Sequence, residues 1–400
     1  MPRKIKILIS SYDYKPRVGG ISTVTFELAK ALQALPNVEI RLLAPSSGST
    51  ELDQSMDQHG FFETMRIPLP KRSERAVWGI SKAIRREARI WSPDAILNLM
   101  WLPCGLASWL VTRNYSVPYS IPYFIMTHGV EILESSQTLR KRIRGFLRCL
   151  KVRAFRHSAG VFSVSQFTAQ LVISECGVDP HKVKVVHNGV DSQVFFPGPK
   201  PLDLVQKLGL DQKFVFLTVS RLDDYKGIDK ALLAFPSLLK KHSHAVYIVC
   251  GEGPDRPRVE RLAADLGIQE QVKFTGRIEE GRLRDYFNLA DVFVLLSRDD
   301  RVTPNFEGFG LVYLEAAACG KPSLAGKSGG VPEVVIEGET GWLVPPEDIP
   351  AISAAMCQAI EDEVLRKRMG EAAYQRAVNH YSWNSMAAKI LEEMRKHVRN

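Results

Sequence analysis

Short apolar runs alternate along this chain with longer stretches in which apolar residues recur every three or four positions. The first run, residues 6–10, is bounded by polar residues and has the length of a buried strand. The stretch 21–35 that follows places its apolar residues on one face of a helix, with Ser22 as the expected N-cap. Such alternation of strands and helices predicts parallel sheets with helices on both faces.

The alternation runs through the chain twice. In the first half, strands are predicted at 6–10, 38–43, 95–99, 123–127, 160–163 and 184–187. In the second half, strands are predicted at 214–219, 246–250, 272–275, 292–296 and 322–325, with helices beginning near Gly227, Arg256, Glu280, Gly310 and Pro332. From about Ala351 onward the pattern is helical.

Residues 196–201 (Phe-Pro-Gly-Pro-Lys-Pro) separate the two halves. Because proline continues neither a strand ladder nor a helix interior, this stretch predicts a linker. A chain of 400 residues is also too long for a single hydrophobic core, because one domain takes roughly 100–200 residues. We therefore predict an N-terminal domain over 1–195, a linker over 196–212, a second domain over 213–378 and a C-terminal helix over 379–400.

The composition is that of a soluble globular protein, with 45% hydrophobic and 24% charged residues. No signal peptide is predicted, since no cleavage site follows the first apolar run. The most apolar long window, 96–111, is broken by Asn98, Pro103 and Gly105 and is shorter than the ~20 residues that a membrane span needs. We therefore expect a cytoplasmic protein with no membrane-crossing segment.

The six cysteines lack C-x-x-C spacing and lie in apolar surroundings. This pattern predicts buried, reduced thiols and argues against a disulfide framework or a zinc site. The net charge of +9 favours an anionic partner, such as a nucleotide, a membrane surface or a nucleic acid. Only the charge favours nucleic acid, so we expect no nucleic-acid partner.

The strongest candidate for chemistry is the stretch 306–311 (Phe-Glu-Gly-Phe-Gly-Leu), which runs into a predicted helix. Glycines allow the backbone to approach a ligand closely, and amides at a helix start bind phosphate or hydroxyl groups. Glu307 precedes the turn and Glu315 lies one turn into the helix, where a carboxylate accepts hydrogen bonds from adjacent sugar hydroxyls. The alternative is two surface carboxylates near a helix start, but the glycines between them favour a ligand site.

A second candidate, 220–227 (Ser-Arg-Leu-Asp-Asp-Tyr-Lys-Gly), directly follows a predicted buried strand. Ligands of open α/β sheets bind beyond the carboxyl ends of the strands. Arg221 offers a two-pronged donor and Lys226 a point charge, which suits a pyrophosphate. The alternative is an exposed turn with two unrelated cations, which the position at a strand end disfavours.

Weaker candidates occupy other predicted strand ends. Gly19 and Gly20 open the first helix, His128 ends a strand, and Gly251 and Gly253 follow another. A Gly-Gly pair is more often only a turn and a lone histidine more often structural, but a strand end is where a ligand is expected. No G-x-G-x-x-G follows the first strand of either domain, which disfavours an NAD dehydrogenase.

Taken in order, Ser-Arg-Leu…Lys-Gly, Gly-Glu-Gly-Pro, Glu-Gly-Phe-Gly-Leu…Glu-Ala and Gly-Gly-Val-Pro-Glu resemble the family-four retaining glycosyltransferases, or glycosyl transferases group 1. The likeness covers nearly the whole chain and is densest over 214–345. It implies the GT-B fold, in which two Rossmann-like domains with parallel sheets face a cleft and the C-terminal helix crosses back to the first domain. It also implies a hexosyltransferase with a nucleotide-sugar donor and a glycan or lipid-linked acceptor.

The resemblance implies roles for individual residues. Arg221 and Lys226 should hold the donor diphosphate, Glu307 the donor sugar and Glu315 the ribose, with His128 near the transferred sugar. The implied catalytic residues are Arg221, Lys226, Glu307 and His128. The implied donor-binding residues are Gly19, Gly20, Arg221, Lys226, Gly251, Gly253, Arg277 beside the base, Gly308, Phe309, Gly310, Leu311 and Glu315.

The sequence contains no Asp-x-Asp triplet of the kind that holds a metal ion in the other glycosyltransferase fold. We therefore expect no metal and no other cofactor, with cations and helix-start amides stabilising the departing diphosphate. The family resemblance implies front-face transfer, in which the departing phosphate accepts the proton of the acceptor. The segment 297–305 is longer and more charged than a bare connection needs, and we expect it to flank the donor sugar.

Two other functions remain open: a nucleotide-sugar epimerase of similar fold, which would need no acceptor, and a non-catalytic nucleotide-sugar-binding protein. The presence of Arg221, Lys226 and both glutamates favours an enzyme. UDP-glucose and GDP-mannose remain open as donors. The stretches 313–320 (Tyr-Leu-Glu-Ala-Ala-Ala-Cys-Gly) and 328–333 (Ser-Gly-Gly-Val-Pro-Glu) together resemble lipid-directed mannosyltransferases, which slightly favours mannose. The sequence leaves the acceptor, the linkage and the oligomeric state open.

Two basic segments, 71–91 and 139–155, carry apolar residues on one face. The first has Trp78, Ile84 and Trp91 among its cations, and the second has Phe146, with Lys151 among the basic residues around it. Such segments bind anionic membranes, although a helix with a core face and a solvated basic face has the same pattern. We expect peripheral binding to an anionic membrane surface, on its inner face.

Overall fold

The structure, a computed structural model, describes residues 3–17, 19–58, 62–70, 73–113, 120–133, 141–279, 281–299 and 305–398. The chain divides into two compact units, each built around its own parallel sheet. The first unit comprises Met1–Asn188 together with Trp383–Asn400, and the second comprises Gly189–Ser382. In the described part of the chain, no helix is both long enough and apolar enough to span a membrane.

The first unit alternates strands with helices, as the apolar pattern predicts. Its strands are β1 (Ile5–Ser10), β2 (Val38–Pro45), β3 (Glu63–Ile67), β4 (Ala95–Asn98), β5 (Tyr123–Thr127), β6 (Gly160–Ser163) and β7 (Val183–Val185). Its helices before the second unit are α1 (Gly20–Ala34), α2 (Thr50–Asp57), α3 (Ser73–Ile90), α4 (Leu106–Arg113), α5 (Lys141–Arg156) and α6 (Gln166–Cys176). The sheet order is β3-β2-β1-β4-β5-β6-β7.

The centre of this sheet is covered on both faces. Ile7, Leu8 and Ile9 of β1 are all fully buried, so neither face of the strand meets solvent. Strand β1 lies between β2 and β4, with Ile7 opposite both Ile40 and Ala95 in parallel register. The strand order reverses between β1 and β4, and open α/β sheets bind ligands beyond the carboxyl ends of strands at such a point.

The second unit repeats the architecture. Its strands are β8 (Phe214–Val219), β9 (Ala245–Cys250), β10 (Val272–Gly276), β11 (Val292–Leu295), β12 (Ser323–Gly326) and β13 (Gly341–Val344). Its helices are α7 (Leu202–Leu208), α8 (Ile228–Leu239), α9 (Arg256–Asp265), α10 (Leu283–Leu289), α11 (Leu311–Ala318), α12 (Val331–Val334), α13 (Ile349–Glu361) and α14 (Glu363–His380). The order β10-β9-β8-β11-β12-β13 reverses between β8 and β11, so a ligand site is expected beyond those two strands.

The last helix, α15 (Trp383–Arg395), belongs to the first unit although it follows the second in sequence. It packs along α1 and buries Met386, Ile390 and Met394. Beyond it, the His397 ring contacts Phe124 of β5 edge-on, with the ring centroids 5.6 Å apart. The expected return of the C-terminal helix to the first domain is therefore confirmed.

Some local predictions were wrong. Strands β3 and β13 were not predicted, because each is a sheet edge and neither has a long apolar run. Ser22 is not the N-cap of α1: the helix begins at Gly20, Gly19 takes the cap position, and Ser22 is buried within the first turn. Cys149 is exposed on α5, whereas the other five cysteines are buried free thiols, as predicted.

Candidate functional site

Lys226 and Glu307 meet at the point where the strand order of the second unit reverses. Lys226 lies on a short turn, Asp224–Lys226, that follows β8, and Glu307 lies beyond β11. The Lys226 Nζ donates to Glu307 Oε2 at 2.6 Å. The two side chains are only 12% and 15% exposed, so this is a largely desolvated ion pair. Two of the residues expected to bind the donor are therefore brought together although they are 81 positions apart.

The surroundings of Lys226 favour its charged form. Burial alone would lower the pKa of Lys226, but Glu307 and Tyr225 raise it above its ordinary value, so the side chain is cationic at any physiological pH. The Tyr225 ring lies 4.8 Å from the ammonium. Ser297, fully buried after β11, donates to the same carboxylate oxygen of Glu307 at 3.4 Å. The pair is therefore a fixed cation beside a fixed acceptor.

Arg221 stands at the same strand end but is oriented differently. Its guanidinium makes two hydrogen bonds to Asp223, at 2.5 Å and 3.0 Å, and the side chain is 74% exposed. An exposed side chain held by a near neighbour in sequence is free to turn toward an anion at little energetic cost. Arg221 is thus available near the Lys226 turn, but it does not touch the Lys226–Glu307 pair in this structure.

Gly310 forms the start of helix α11. Its backbone is left-handed, with φ of 87°, and a Cβ atom there would lie 2.5 Å from the Tyr313 ring and 3.3 Å from Glu307. No side chain caps the first turn of α11. The Tyr313 amide donates to the Gly310 carbonyl oxygen at 3.1 Å, so the Leu311 and Val312 amides form the start of the helix beside Glu307, where they favour an anion or a hydroxyl oxygen.

Glu315 lies one turn into α11 and is largely buried. Burial raises its pKa from 4.5 to about 7, with no opposing cation or hydrogen bond among the causes. A carboxylate without such a partner is costly in a desolvated position. A group that donates hydrogen bonds to this carboxylate would stabilise its ionised form.

Other predicted donor-binding residues have different surroundings. A Cβ atom at Gly251 would fall 1.8 Å from the Ser220 carbonyl oxygen, and one at Gly253 would fall 2.2 Å from that of Leu222. These two glycines therefore let the β9 end close onto the backbone around Arg221. Phe309 is buried, with its ring 5.9 Å from that of Tyr381, so only its backbone is placed to meet a ligand. Arg277 is exposed directly after β10.

The first unit gathers a second group of polar residues at its own strand ends. His128 follows β5, and its Nε2–H donates to the Leu99 carbonyl oxygen at 2.9 Å, which leaves the lone pair on Nδ1. The backbone N–H of His128 donates to the Glu131 carboxylate. Burial lowers the pKa of His128, although Glu131 and Asp13 oppose this, so the imidazole is neutral near pH 7.

Asp13 joins this group and was missed by the sequence analysis. It lies in the loop after β1, and a Cβ atom at Gly19 would be 3.7 Å from its carboxylate. Burial raises its pKa, whereas Arg17 and His128 lower it. The signal that could have found it is its position directly after the first buried strand, next to the Gly19–Gly20 turn. The structure therefore places the predicted residues in two groups, Gly19, Gly20 and His128 in the first unit and the remainder in the second.

Neither group offers a metal site of ordinary composition. Within the described ranges, three histidine, cysteine or carboxylate ligands approach one another once, at His242, Cys357 and Glu361. Helix α8 begins beside the Lys226 turn, at the carboxyl ends of the strands, and runs to their amino ends, where His242 lies. The three ligands are therefore at the amino ends of the strands, whereas Lys226 and Glu307 are at the carboxyl ends.

Two parallel α/β units, each with a polar group at its topological switch point, define the GT-B class of fold. Two family models match: "Glycosyltransferase Family 4" over residues 18–194 and "Glycosyl transferases group 1" over residues 203–376. The chain belongs to the family-four glycosyltransferases and is a hexosyltransferase that acts on nucleotide sugars.

Relatives share the whole length of the chain. A GDP-mannose-dependent alpha-(1-6)-phosphatidylinositol monomannoside mannosyltransferase of Mycolicibacterium smegmatis is 36% identical over 394 residues, covering 96% of this chain and 97% of that protein. A glycogen synthase of Mycobacterium tuberculosis is 25% identical over 405 residues, covering 96% of this chain and 92% of that one.

Solved structures show the same fold. Sucrose-phosphate synthase from Thermosynechococcus elongatus superposes with a TM-score of 0.80 at 21% identity, over 98% of this chain and 99% of that one. The Anabaena protein HepE, in complex with UDP and glucose, gives a TM-score of 0.77 at 20% identity with the same coverage. The GT-B expectation from the sequence is therefore confirmed.

The buried position of Glu315 makes a prediction about stability and pH. A raised pKa means that the folded protein holds this proton more tightly than the unfolded chain, so its stabilising contribution is complete below pH 4.5 and is lost as the pH rises through about 7. Glu315→Gln should remove that loss and gain about 2–3 kcal/mol relative to wild type between pH 4.5 and pH 8. Paired melting temperatures at the two pH values measure it; a difference that does not change with pH would contradict it.

Proposed function

We propose that this enzyme is a retaining mannosyltransferase that moves mannose from GDP-mannose to a lipid-linked acceptor, without a metal ion at the donor site. The observation that carries the proposal is the desolvated Lys226–Glu307 pair beside the α11 start. The name of the 36% identical relative, a GDP-mannose-dependent phosphatidylinositol monomannoside mannosyltransferase, supplies the donor and the kind of acceptor.

The pair has the charges that a nucleotide diphosphate sugar requires. Lys226 is a buried cation for the diphosphate, and Arg221 adds a second by turning away from Asp223. Once Lys226 binds phosphate, Glu307 is left to accept hydrogen bonds from hydroxyls of the hexose. The α11 amides lie beside Glu307 and stabilise negative charge on the leaving group. Glu315 receives the ribose hydroxyls, and Arg277 lies beside the base.

Transfer then proceeds on one face of the sugar. The bond between the anomeric carbon and the departing diphosphate oxygen breaks, the acceptor oxygen bonds to the same face, and its proton passes to the diphosphate. The anomeric configuration is therefore retained. The cations and amides carry the developing negative charge, so no metal is needed for it. We assign the His128 group of the first unit, with Asp13, to the transferred sugar and the hydroxyl groups of the acceptor.

The donor and the reaction can be tested together. Purified enzyme is incubated with each of several UDP- and GDP-sugars and a phosphatidylinositol mannoside acceptor, and the products are analysed by mass spectrometry and by NMR of the anomeric proton. We expect transfer from GDP-mannose with retained configuration. Lys226→Ala should lower kcat by about 10²–10³-fold, because the leaving group loses its desolvated cation.

Lys230→Ala is the matched control. Lys230 lies four residues further along and pairs with Glu347, so its loss removes a neighbouring lysine and an ion pair without touching Glu307. Lys230→Ala should retain the wild-type rate within about twofold, because an ion pair with an exposed partner contributes little energy. Wild-type turnover in Lys226→Ala, conversion of the donor without any acceptor, or an inverted product would each refute the proposal.

A lipid-linked acceptor also requires access to a membrane, and we infer that α3 and α5 provide it on the inner face. Trp78 of α3 is 76% exposed, with exposed arginines and a lysine on the same helix, and Phe146 of α5 is 64% exposed, with exposed Arg148 and Arg153 on its helix. Exposed aromatic residues among cations suit an anionic interface. Ile84 and Trp91 are instead buried in the core, and Lys151 is buried and donates to the Ile132 carbonyl oxygen, so these three expected membrane residues are structural.

Vesicle flotation tests this surface. Wild type should float with vesicles rich in phosphatidylglycerol at physiological salt and should not float with neutral vesicles, because the attraction is electrostatic. Trp78→Asp combined with Phe146→Asp should abolish flotation. Val364→Asp, at an 80% exposed apolar residue of the second unit, is the control and should float normally. Equal flotation of all three proteins would exclude α3 and α5 as the membrane surface.

A further inference from the structure

Helices α8 and α13 lie side by side in the second unit and are joined at both ends. Each helix follows a strand of the parallel sheet, so both helices run from the carboxyl ends of the strands to their amino ends. Lys230 pairs with Glu347 where they begin, and His242 Nε2 lies 2.9 Å from Glu361 Oε1 where they end. Cys357 lies one turn before Glu361, on the same helix face.

At this lower end, three metal-binding atoms come together. One ligand atom each from His242, Cys357 and Glu361 lies within 4.8 Å of the other two. A zinc ion with bonds of about 2.0–2.3 Å holds its ligands roughly 3.3–3.8 Å apart in a tetrahedron. The 2.9 Å between His242 Nε2 and Glu361 Oε1 is already below this spacing, and the 55% exposed Glu361 side chain has solvent on one side into which it can adjust. His242 is anchored through its backbone N–H to the Leu238 carbonyl oxygen.

We propose that His242, Cys357 and Glu361 form a Zn²⁺ site that ties the end of α8 to the end of α13, with solvent in the fourth position. An imidazole, a thiolate and a carboxylate are the ligand types that zinc takes. The sequence analysis excluded a zinc site on cysteine spacing, but this site has no short spacing to detect, since His242 and Glu361 are 119 residues apart. The site lies away from the donor-binding residues, so its role is to stabilise the fold.

Metal titration of the chelator-treated enzyme tests the site. Co²⁺ should produce a tetrahedral spectrum with a thiolate-to-cobalt charge-transfer band, and Zn²⁺ should displace it. Zn²⁺ should raise the melting temperature by about 3–6 °C at saturation. Cys357→Ser and His242→Gln should each lose the charge-transfer band and the rise in melting temperature. Cys149→Ser, which changes the exposed thiol of the first unit, should keep both. No charge-transfer band, or the same band in Cys357→Ser, would overturn the site.

A different set of contacts concerns the segment between β11 and Glu307. Arg298, the third residue after β11, donates its backbone N–H to the Tyr225 carbonyl oxygen at 2.8 Å. Its guanidinium donates to Asp224 at 2.5 Å and to Asp229 at 3.3 Å. The side chain is only 16% exposed, so these contacts are fixed rather than transient.

These contacts attach one half of the donor pair to the other. Asp224 and Tyr225 belong to the same short turn as Lys226, and Arg298 belongs to the segment that leads to Glu307. The geometry points to Arg298 as a positioning residue that sets the placement of Lys226 relative to Glu307; this inference rests on the proposed function. The start of the charged segment 297–305 is therefore hydrogen-bonded, through Arg298, to the turn that carries Lys226.

Steady-state kinetics separate positioning from general stability. Arg298→Ala should lower kcat about 10–100-fold with little change in melting temperature, and Arg298→Lys should restore part of the rate. Arg258→Ala is the matched control, because Arg258 also pairs with Asp224 and Asp229, at 2.9 Å and 3.5 Å, but comes from α9 rather than from this segment. It should keep kcat within about threefold.

Equal kcat losses in Arg298→Ala and Arg258→Ala would overturn the positioning role, since both would then act only through the acidic residues. Wild type is measured in parallel, and a wild type that transfers no hexose from any donor would refute the proposed function instead. In that case GDP titration decides the positioning role: Arg298→Ala should bind GDP several-fold more weakly than Arg258→Ala, and equal affinities would overturn it.

Discussion

The second unit is organised around one ion pair in a place with little water. Lys226 and Glu307 come from opposite sides of the strand-order reversal, and each would be costly to hold there alone, because an unpaired charge in a desolvated position loses several kcal/mol of hydration, on the order of 3–5 for a broken buried pair. The pairing holds the two side chains against each other at 2.6 Å. A ligand that takes only one partner leaves the other unsatisfied. The site therefore favours a molecule that presents an anion and hydroxyl donors side by side, which is the composition of a nucleotide diphosphate sugar.

Helix α11 continues from the Lys226–Glu307 pair through Gly310 and Glu315. The left-handed backbone of Gly310 brings the helix start against Glu307, and the helix then places Glu315 one turn further along, in a partly buried position. A strand end, a glycine turn and a helix start thus place Glu307, the first amides of α11 and Glu315 along one short stretch of chain. Small changes in that stretch would shift all three groups together, which explains why its residues are packed against Tyr313 and Ser297 rather than left as a free loop.

The sequence predicts the central strands well and points to Lys226 and Glu307, which the fold brings together, because both signals depend on local patterns. Buried strands such as β1 and β8 are continuous apolar runs, and Lys226, Glu307 and Gly310 lie at strand and helix ends that the pattern locates. The sequence analysis misses edge strand β3 because its residues are partly exposed, and edge strand β13 because its apolar run, Trp342–Val344, is only three residues long. The sequence analysis misses other features for a different reason, because their partners are distant in sequence and only the fold brings them into contact. These features are Asp13, Arg298 and the pairing of His242 with Glu361.

Helix α15 has a consequence for the order in which the protein is made. The core of the first unit is incomplete without Met386, Ile390 and Met394, yet these residues leave the ribosome only after all of the second unit has been translated. The nascent first unit must therefore wait, with the apolar side of α1 uncovered, while nearly two hundred further residues are added, Gly189–Ser382. During that interval the uncovered α1 face is the surface on which a chaperone would bind, and the arrival of the last helix is the step that completes the fold.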